Sequence, residues 1–294
     1  MQVSGFSFVR NGIKLGYPVT EAIRSILPIC DEFIIAVGKS EDDTLEQIKA
    51  IGDSKIRIIE TEWDKNMYVR GRINSFQTNI ALKECKGDWC FYIQADEVVH
   101  EKFLPLIEAK MKKFQHDDAV QGLLFNYLHF WGSYDYYQDS RRWYRREIRV
   151  IKNNLGIESR GDAQSFSLNS HKIRVVKIDS DIYHYGWVRP PKVMQEKHIS
   201  MQSLYHDDEW IEKNFANTPE EFNYGNPKYL AKFDETHPEV MIERIKELNW
   251  DFSKGKYAGN PHEKLFSRIR SFFENKVIHY RIGEYKNYIL LKNK

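Results

Sequence analysis

"GDWCFYIQADEVV", residues 87–99, decides the fold. Trp89 to Ile93 is apolar, aromatic and β-branched, the composition of a strand covered on both faces. Gln94 and Ala95 follow, and then two carboxylates, Asp96 and Glu97, stand where the strand should end. Acids at that place have a bland reading as caps of the next helix or acceptors for turn amides. They also have a chemical one. In sheets of parallel strands, ligands gather beyond the carboxyl ends of the strands, so Asp96 is placed at a candidate site.

Upstream of this strand the chain alternates. "VSGFSFV" (3–9), "EFIIAV" (32–37) and "KIRIIET" (55–61) read as strands. Between them lie the helical patterns "VTEAIRSILPIC" (19–30) and "EDDTLEQIKAIG" (41–52). "GRINSFQTNIALKECKGD" (71–88) sets Ile73, Phe76, Ile80 and Leu82 on a roughly helical face, and "KFLPLIEAKMKKF" (102–114) is a further helix. This alternation predicts a mostly parallel α/β sheet with helices on both faces. Beyond residue 119 the pattern changes. "AVQGLLFNYLHFWG" and "EIRVIKN" are strand-like, separated by the aromatic and basic "SYDYYQDSRRWYRR". "KIRVVKI" and "IYHYGWV" follow as two strands, and after Pro190-Pro191 the chain turns helical. The expected division is an α/β half over 1–118, a second part of the same domain over 119–190, and a helical extension over 191–294.

Composition limits the function. The 294 residues carry 44 Lys+Arg against 42 Asp+Glu, net +2, so the molecule as a whole is no general polyanion binder. Mean hydropathy is −0.61, and no stretch approaches the roughly 18 apolar residues a membrane-spanning helix needs. Three cysteines, Cys30, Cys85 and Cys90, lack paired metal spacing and suit buried thiols in a reducing compartment. "MQVSGFSFVRNG" shows no charged leader and long apolar run, so no secretory signal is expected. These features predict a cytoplasmic protein. Residues 254–294 hold ten Lys/Arg and three Asp/Glu. With Leu265, Phe266, Ile269, Phe272 and Phe273 on a stripe, this tail is expected to pack on the domain through that stripe. Peripheral contact with the inner face of an anionic membrane is the alternative.

Up to about residue 115 the chain resembles the family-2 glycosyltransferases of GT-A fold. Four motifs carry the resemblance in order: Asn11 closing the first strand in "SFVRNG", the loop "VGKSEDDT" (37–44), "TNIALKECKGDW" (78–89), and "FYIQADEV" (91–98) in place of Asp-Ala-Asp-Glu. The similarity is closest to bacterial surface-polysaccharide and lipopolysaccharide-core transferases. It implies a nucleotide-diphosphate sugar as donor, UDP first, and a glycan or lipid-linked glycan as acceptor. Mn²⁺ or Mg²⁺ would be held by Asp96, with His184 of "IYHYGWV" as the second ligand, although His184 as a core residue is the bland reading. Asn11, Asp42, Asp43, Asn79 and Gln94 would serve the nucleotide, with helix capping the alternative for the two aspartates. Gln94 replaces the first acid of the metal motif, and Gly38 stands where many members carry an aspartate for the uracil ring. Inverting transfer needs a carboxylate base. By position in "EIRVIKNNLGIESRGDAQSF" (147–166) the base is Asp162, with Glu158 the alternative. The "RRWYRR" run would grip phosphates or form a solvated face, and Trp187 would stack on a sugar or fill the core. Two rivals are a sugar-nucleotide pyrophosphorylase, whose Gly-rich Thr-Arg-Leu loop is absent here, and a non-catalytic carbohydrate- or nucleic-acid-binding protein.

Overall fold

The computed structural model describes residues 1–216, 218–252, 265–278 and 281–292. Its first half follows the expected alternation: β1 (Val3–Val9), α1 (Val19–Ile26), β2 (Glu32–Gly38), α2 (Thr44–Lys49), β3 (Ile56–Thr61), α3 (Arg72–Lys83) and β4 (Trp89–Tyr92). Then come β5 (Glu97–Val99) and α4 (Leu104–Phe114). Strands β3, β2, β1 and β4 lie side by side and parallel.

The second half adds β6 (Gly122–Trp131), β7 (Ser133–Gln138), β8 (Arg146–Lys152), β9 (Ile157–Arg160), β10 (Ser165–Leu168), β11 (His171–Lys172) and β12 (Arg174–Trp187). Here the sheet becomes mixed. β8 inserts antiparallel between β4 and β6, whereas β12 runs parallel to β6 and antiparallel to β5. The two strands expected between residues 172 and 188 are one. The polar "DSD" at 179–181 does not break it, because a register shift between Lys177 and Asp181 absorbs the irregularity as a bulge. Strands β9 to β11 form a small separate sheet.

Both faces of the main sheet are covered. Along β2, Phe33, Ile35 and Val37 join α1 and α4 in one core layer, while Ile34 and Ala36 join α3, Ile157 and Phe166 in the other. Helix α1 buries Val19, Ala22, Ile23 and Ile26, the spacing of one helical face. Helix α3 differs from expectation. It buries Ile73, Gln77, Thr78, Ala81 and Leu82, a stripe on which Phe76 has no place, and Phe76 is exposed. All three cysteines are free and buried.

The C-terminal region contains α5 (Pro191–Gln202), α6 (Asp208–Phe215), β13 (Ala231–Lys232), α7 (Ile242–Lys246), α8 (Leu265–Lys276) and β14 (Ile289–Leu290). It is fastened at both ends, β13 pairing with β7 and β14 with β12. Among the described residues no helix is long and apolar enough to cross a membrane. Residues 254–264, 279–280 and 293–294 of the basic tail lie outside the described residues, as do the side chains of Leu265 and Phe266.

The tail does not pack through its apolar stripe. Ile269, Phe272 and Phe273 are 59%, 64% and 53% exposed, while Ser271 and Glu274 are buried against the body. The "RRWYRR" run explains this. Arg141 pairs with Glu274, and Arg145 grips Glu284 with Nε and Nη2 at 3.1 and 3.0 Å. The run is neither a free phosphate grip nor a wholly solvated face, because two of its arginines hold the tail down.

Candidate active site

A cavity of about 300 Å³ opens beyond the carboxyl ends of β1 and β4. β4 delivers Asp96 to its floor, and Asp96 is fixed by its backbone, whose carbonyl accepts from Tyr185 N at 2.8 Å. The neighbouring acid goes elsewhere. Glu97 starts β5 opposite His184 and is wholly buried, as is Arg149 of β8. Arg149 donates to it from Nε at 2.8 Å and Nη2 at 2.7 Å, and Tyr127 Oη donates at 2.7 Å. Arg149 also sits over the Tyr92 and Tyr127 rings and donates to Gln164 O at 3.0 Å. Glu97 is thus committed to the scaffold, whereas Asp96 lines the cavity.

Two side chains meet the Asp96 carboxylate. His184 Nε2 lies 3.8 Å and Lys197 Nζ 3.4 Å from its Oδ2, and Lys197 also donates to Gly186 O at 2.6 Å. Burial pushes the Asp96 carboxyl up, but the charges beside it, Lys197 foremost and Arg189 behind it, hold it below the usual carboxylate range. Burial and the Arg189 charge lower Lys197 to about 7. The close approach is possible because residue 186 is glycine. A methyl group there would stand 2.6 Å from His184 Nε2 and 2.8 Å from Asp96 Oδ2.

The proton on His184 is settled by its neighbours. His129 is buried, which drives its pKa well below the usual imidazole value and keeps it neutral. Its Nε2 lies 2.7 Å from Tyr144 O, a carbonyl that can only accept, so Nε2 carries the hydrogen and Nδ1 accepts. His184 Nδ1, 3.1 Å from His129 Nδ1, must then donate. His184, itself lowered by burial, is left with a bare Nε2 lone pair facing a carboxylate oxygen. Two acceptors turned toward one another fit a cation. Among the described residues no set of three or more His, Cys, Asp or Glu converges as a metal cage. Two protein donors leave positions for phosphate oxygens and water, the habit of Mg²⁺ and Mn²⁺ sites.

The remaining expected residues divide. Asn11, with φ of 52°, lines the cavity while its Oδ1 accepts from Glu41 N at 2.8 Å. Gln94 lines it too, its Nε2 donating to Tyr92 Oη and to Ala163 O at 3.2 Å each. Asp162 lines it as well, on a turn between β9 and β10. Its Oδ2 faces Tyr205 Oη at 3.5 Å, and burial together with Asp162 lifts the Tyr205 phenol to about 12. Gly71, at φ of 70°, lets α3 begin against this turn, since a Cβ there would meet Asp162 Cβ at 2.9 Å.

Four expected residues are not among the cavity's lining residues. Glu158 is exposed on β9 and lies 4.0 Å from Arg160, because the strand's alternation turns it outward. Asn79 is tied to β9 by a reciprocal pair, Nδ2 to Ser159 O at 3.0 Å and Ser159 N to Oδ1 at 2.8 Å. Asp42 knits the loop before α2, accepting from Lys14 N at 2.7 Å and from the Thr44 hydroxyl. Asp43 occupies the N-cap position of α2 without a side-chain cap bond.

Sequence reading passed over other lining residues. Trp63 fills the space that Gly38 leaves: a Cβ at Gly38 would lie 2.3 Å from its Nε1, a buried donor with no hydrogen-bond partner. Lys197 arrives on α5, and Trp143 and Tyr144 come from the basic run. Trp187 lines the cavity and stacks on Trp131 at 4.8 Å.

No curated protein matches the chain. Among solved structures, TarS of S. aureus is 13% identical, with a TM-score of 0.40, over 75% of this chain and 41% of its own. This chain therefore spans about two fifths of that protein. TarS residues 1–349 in complex with UDP is 12% identical, covers 72% and 69%, and has a TM-score of 0.37. Glucosyl-3-phosphoglycerate synthase from Mycobacterium tuberculosis, with Mn²⁺, UDP and glucosyl-3-phosphoglycerate, is 15% identical over 70% of this chain and 81% of its own, TM-score 0.43. The sequence profile described as "Glycosyl transferase family 2" matches residues 18–174, from α1 into the start of β12. With the half-parallel sheet and its carboxylate beyond β4, that match over more than half of the chain shows what it is: a member of glycosyl transferase family 2, of GT-A fold.

Proposed function

We propose that the protein transfers a sugar, with inversion, from a nucleotide-diphosphate sugar to an acceptor hydroxyl in bacterial cell-surface glycan synthesis. The observation that carries this reading is the Asp96–His184 pair, two unprotonated donors facing across Gly186 at 3.8 Å. Mn²⁺ or Mg²⁺ held there would neutralise charge building on the departing diphosphate. Lys197 lies beside the same carboxylate and offers an ammonium to the phosphates. Asn11 and Gln94 face the nucleotide, and the aromatic end of the cavity (Phe8, Trp63 and Tyr68) takes its base. UDP is the first donor to test.

Asp162, which lines the same cavity, would serve as the base, removing the acceptor hydroxyl's proton as that oxygen attacks the anomeric carbon. Residues 1–118 then serve the donor, and 119–190 the acceptor. The extension from 191 is more than a support, since it brings Lys197 and Tyr205 to the cavity. A glycan or lipid-linked glycan is the acceptor class. The three buried free thiols support a cytoplasmic setting.

Calorimetric titration of UDP, GDP and dTDP, with and without Mn²⁺, tests the reading. One nucleotide should bind more tightly with the metal, and Asp96→Asn should remove that gain while still unfolding in a cooperative thermal transition. Asp162→Asn should keep nucleotide binding yet lower transfer by roughly 10²–10⁴-fold, the usual loss with a general base. Equal metal-dependent binding by wild type and Asp96→Asn would refute the metal assignment.

A further inference from the structure

Helix α8 is mounted the wrong way round for a soluble tail. Its inward side is polar. Ser271 Oγ accepts from Arg141 N at 3.2 Å, Glu274 is held by Arg141 and Arg270, and Asn275 Nδ2 donates to Asp139 O at 2.6 Å. Its outward side is apolar. Ile269, Phe272, Phe273 and Val277 fall at the i, i+3, i+4, i+8 spacing of one face, and each is more than half exposed. Ile282 and Tyr285, farther along the tail, are also 57% and 83% exposed. A contiguous apolar surface of this kind marks an interaction site, because leaving it in water forfeits the main driving force of folding.

The charge carried by the tail's sequence selects the occupant. Residues 254–294 carry ten Lys/Arg and three Asp/Glu, although the whole chain is only +2, so the rest of the molecule is net negative. Two of the three tail acids, Glu274 and Glu284, are already engaged by Arg141 and Arg145 of the body. A second copy meeting this face across a two-fold axis would oppose one basic tail to another. An anionic lipid surface fits both properties, taking the rings among its acyl chains and the cations at its headgroups.

We infer that the exposed face of α8 docks the protein on an anionic bilayer. The attachment bears on the cavity, because Arg281 of the tail donates to Trp143 O at 2.6 Å and so holds a segment that lines it. Docking would set the acceptor side of the cavity beside the membrane. It does not require the proposed activity, and its test uses none.

The full chain is sedimented with vesicles of phosphatidylglycerol and phosphatidylcholine, or of phosphatidylcholine alone. Wild type should bind the anionic vesicles, and binding should fall as salt rises. The double variant Phe272→Ser, Phe273→Ser should bind roughly tenfold or more weakly, since it removes two insertable rings. Its melting temperature should change little, because both rings are more than half exposed. Failure of wild type to bind anionic vesicles would overturn the inference. So would equal binding by the variant, or a wild-type dimer that the double substitution converts to a monomer.

Discussion

In the proposed metal site His184 can serve as a ligand only while its hydrogen stays on Nδ1, where His129 accepts it. Without an acceptor at Nδ1 the ring is free to take the other tautomer, which would turn an N–H toward Asp96 and close the position to a cation. His129→Phe keeps an aromatic ring between Tyr127 and Trp143 but deletes the acceptor. The Mn²⁺ concentration needed for nucleotide binding should rise by roughly 10–100-fold, as when a metal ligand loses its outer partner. Calorimetry in graded Mn²⁺ reads this directly, and an unchanged requirement would mean that the ring holds its tautomer without His129. At this scale the sequence was partly legible. Asp96, His184, Asp162, Asn11 and Gln94 were all named from it, and all line one cavity. Lys197 and His129 were not, because a lysine in a helix and a histidine in a strand carry no local mark of what they will face.

Between elements, the buried Arg149–Glu97 pair joins β8 to β5 and, through Gln164 O, to the turn bearing Asp162. Breaking it leaves a buried carboxylate with the Tyr127 hydroxyl and the Gln94 backbone amide but without its cation. Arg149→Met should therefore lower unfolding stability by about 3–5 kcal/mol. Adding Glu97→Gln should restore a substantial part, because the uncompensated charge goes with it. Urea denaturation of the single and double variants measures this, and a single-variant loss below about 1 kcal/mol would show the pair to be idle. Sequence patterning found the elements well where one period rules. It found β1 to β4 and their helices because continuous apolar runs and helical faces alternate there. It split β12 in two because a bulge holding three polar residues looks like a turn. It also set the α8 stripe inward, since periodicity shows that a face exists and not which way it points.

Across the molecule, Glu147 links the cavity to the tail. Gln164 Nε2 donates to one of its oxygens at 2.7 Å and Asn287 Nδ2 to the other at 2.9 Å. Burial raises its carboxyl to about 7. The folded chain thus keeps a proton that the unfolded chain releases near the ordinary glutamate value of about 4.3. The stability this group contributes is complete below that value and is lost as pH rises through 7. Glu147→Gln stays neutral throughout, so its melting temperature relative to wild type should climb between pH 5 and pH 8. The difference corresponds to at most about 3 kcal/mol. A gap that stays constant with pH would show that Glu147 is already ionised in the folded state.

The order in which the chain must assemble follows from β12. His184 reaches Asp96 only after β12 has aligned along β6, with Tyr183 opposite Leu128, and taken β5 as its other neighbour. Pairings so distant along the chain are slow to close and are rewarded late. Lys197 follows on the helix after that strand, and so arrives no sooner. A nascent or partly folded chain can therefore hold its first parallel strands and still lack a nucleotide pocket. Nucleotide capture becomes a marker of finished folding, and a ligand that recognises only the completed pocket would draw late intermediates forward to the native state.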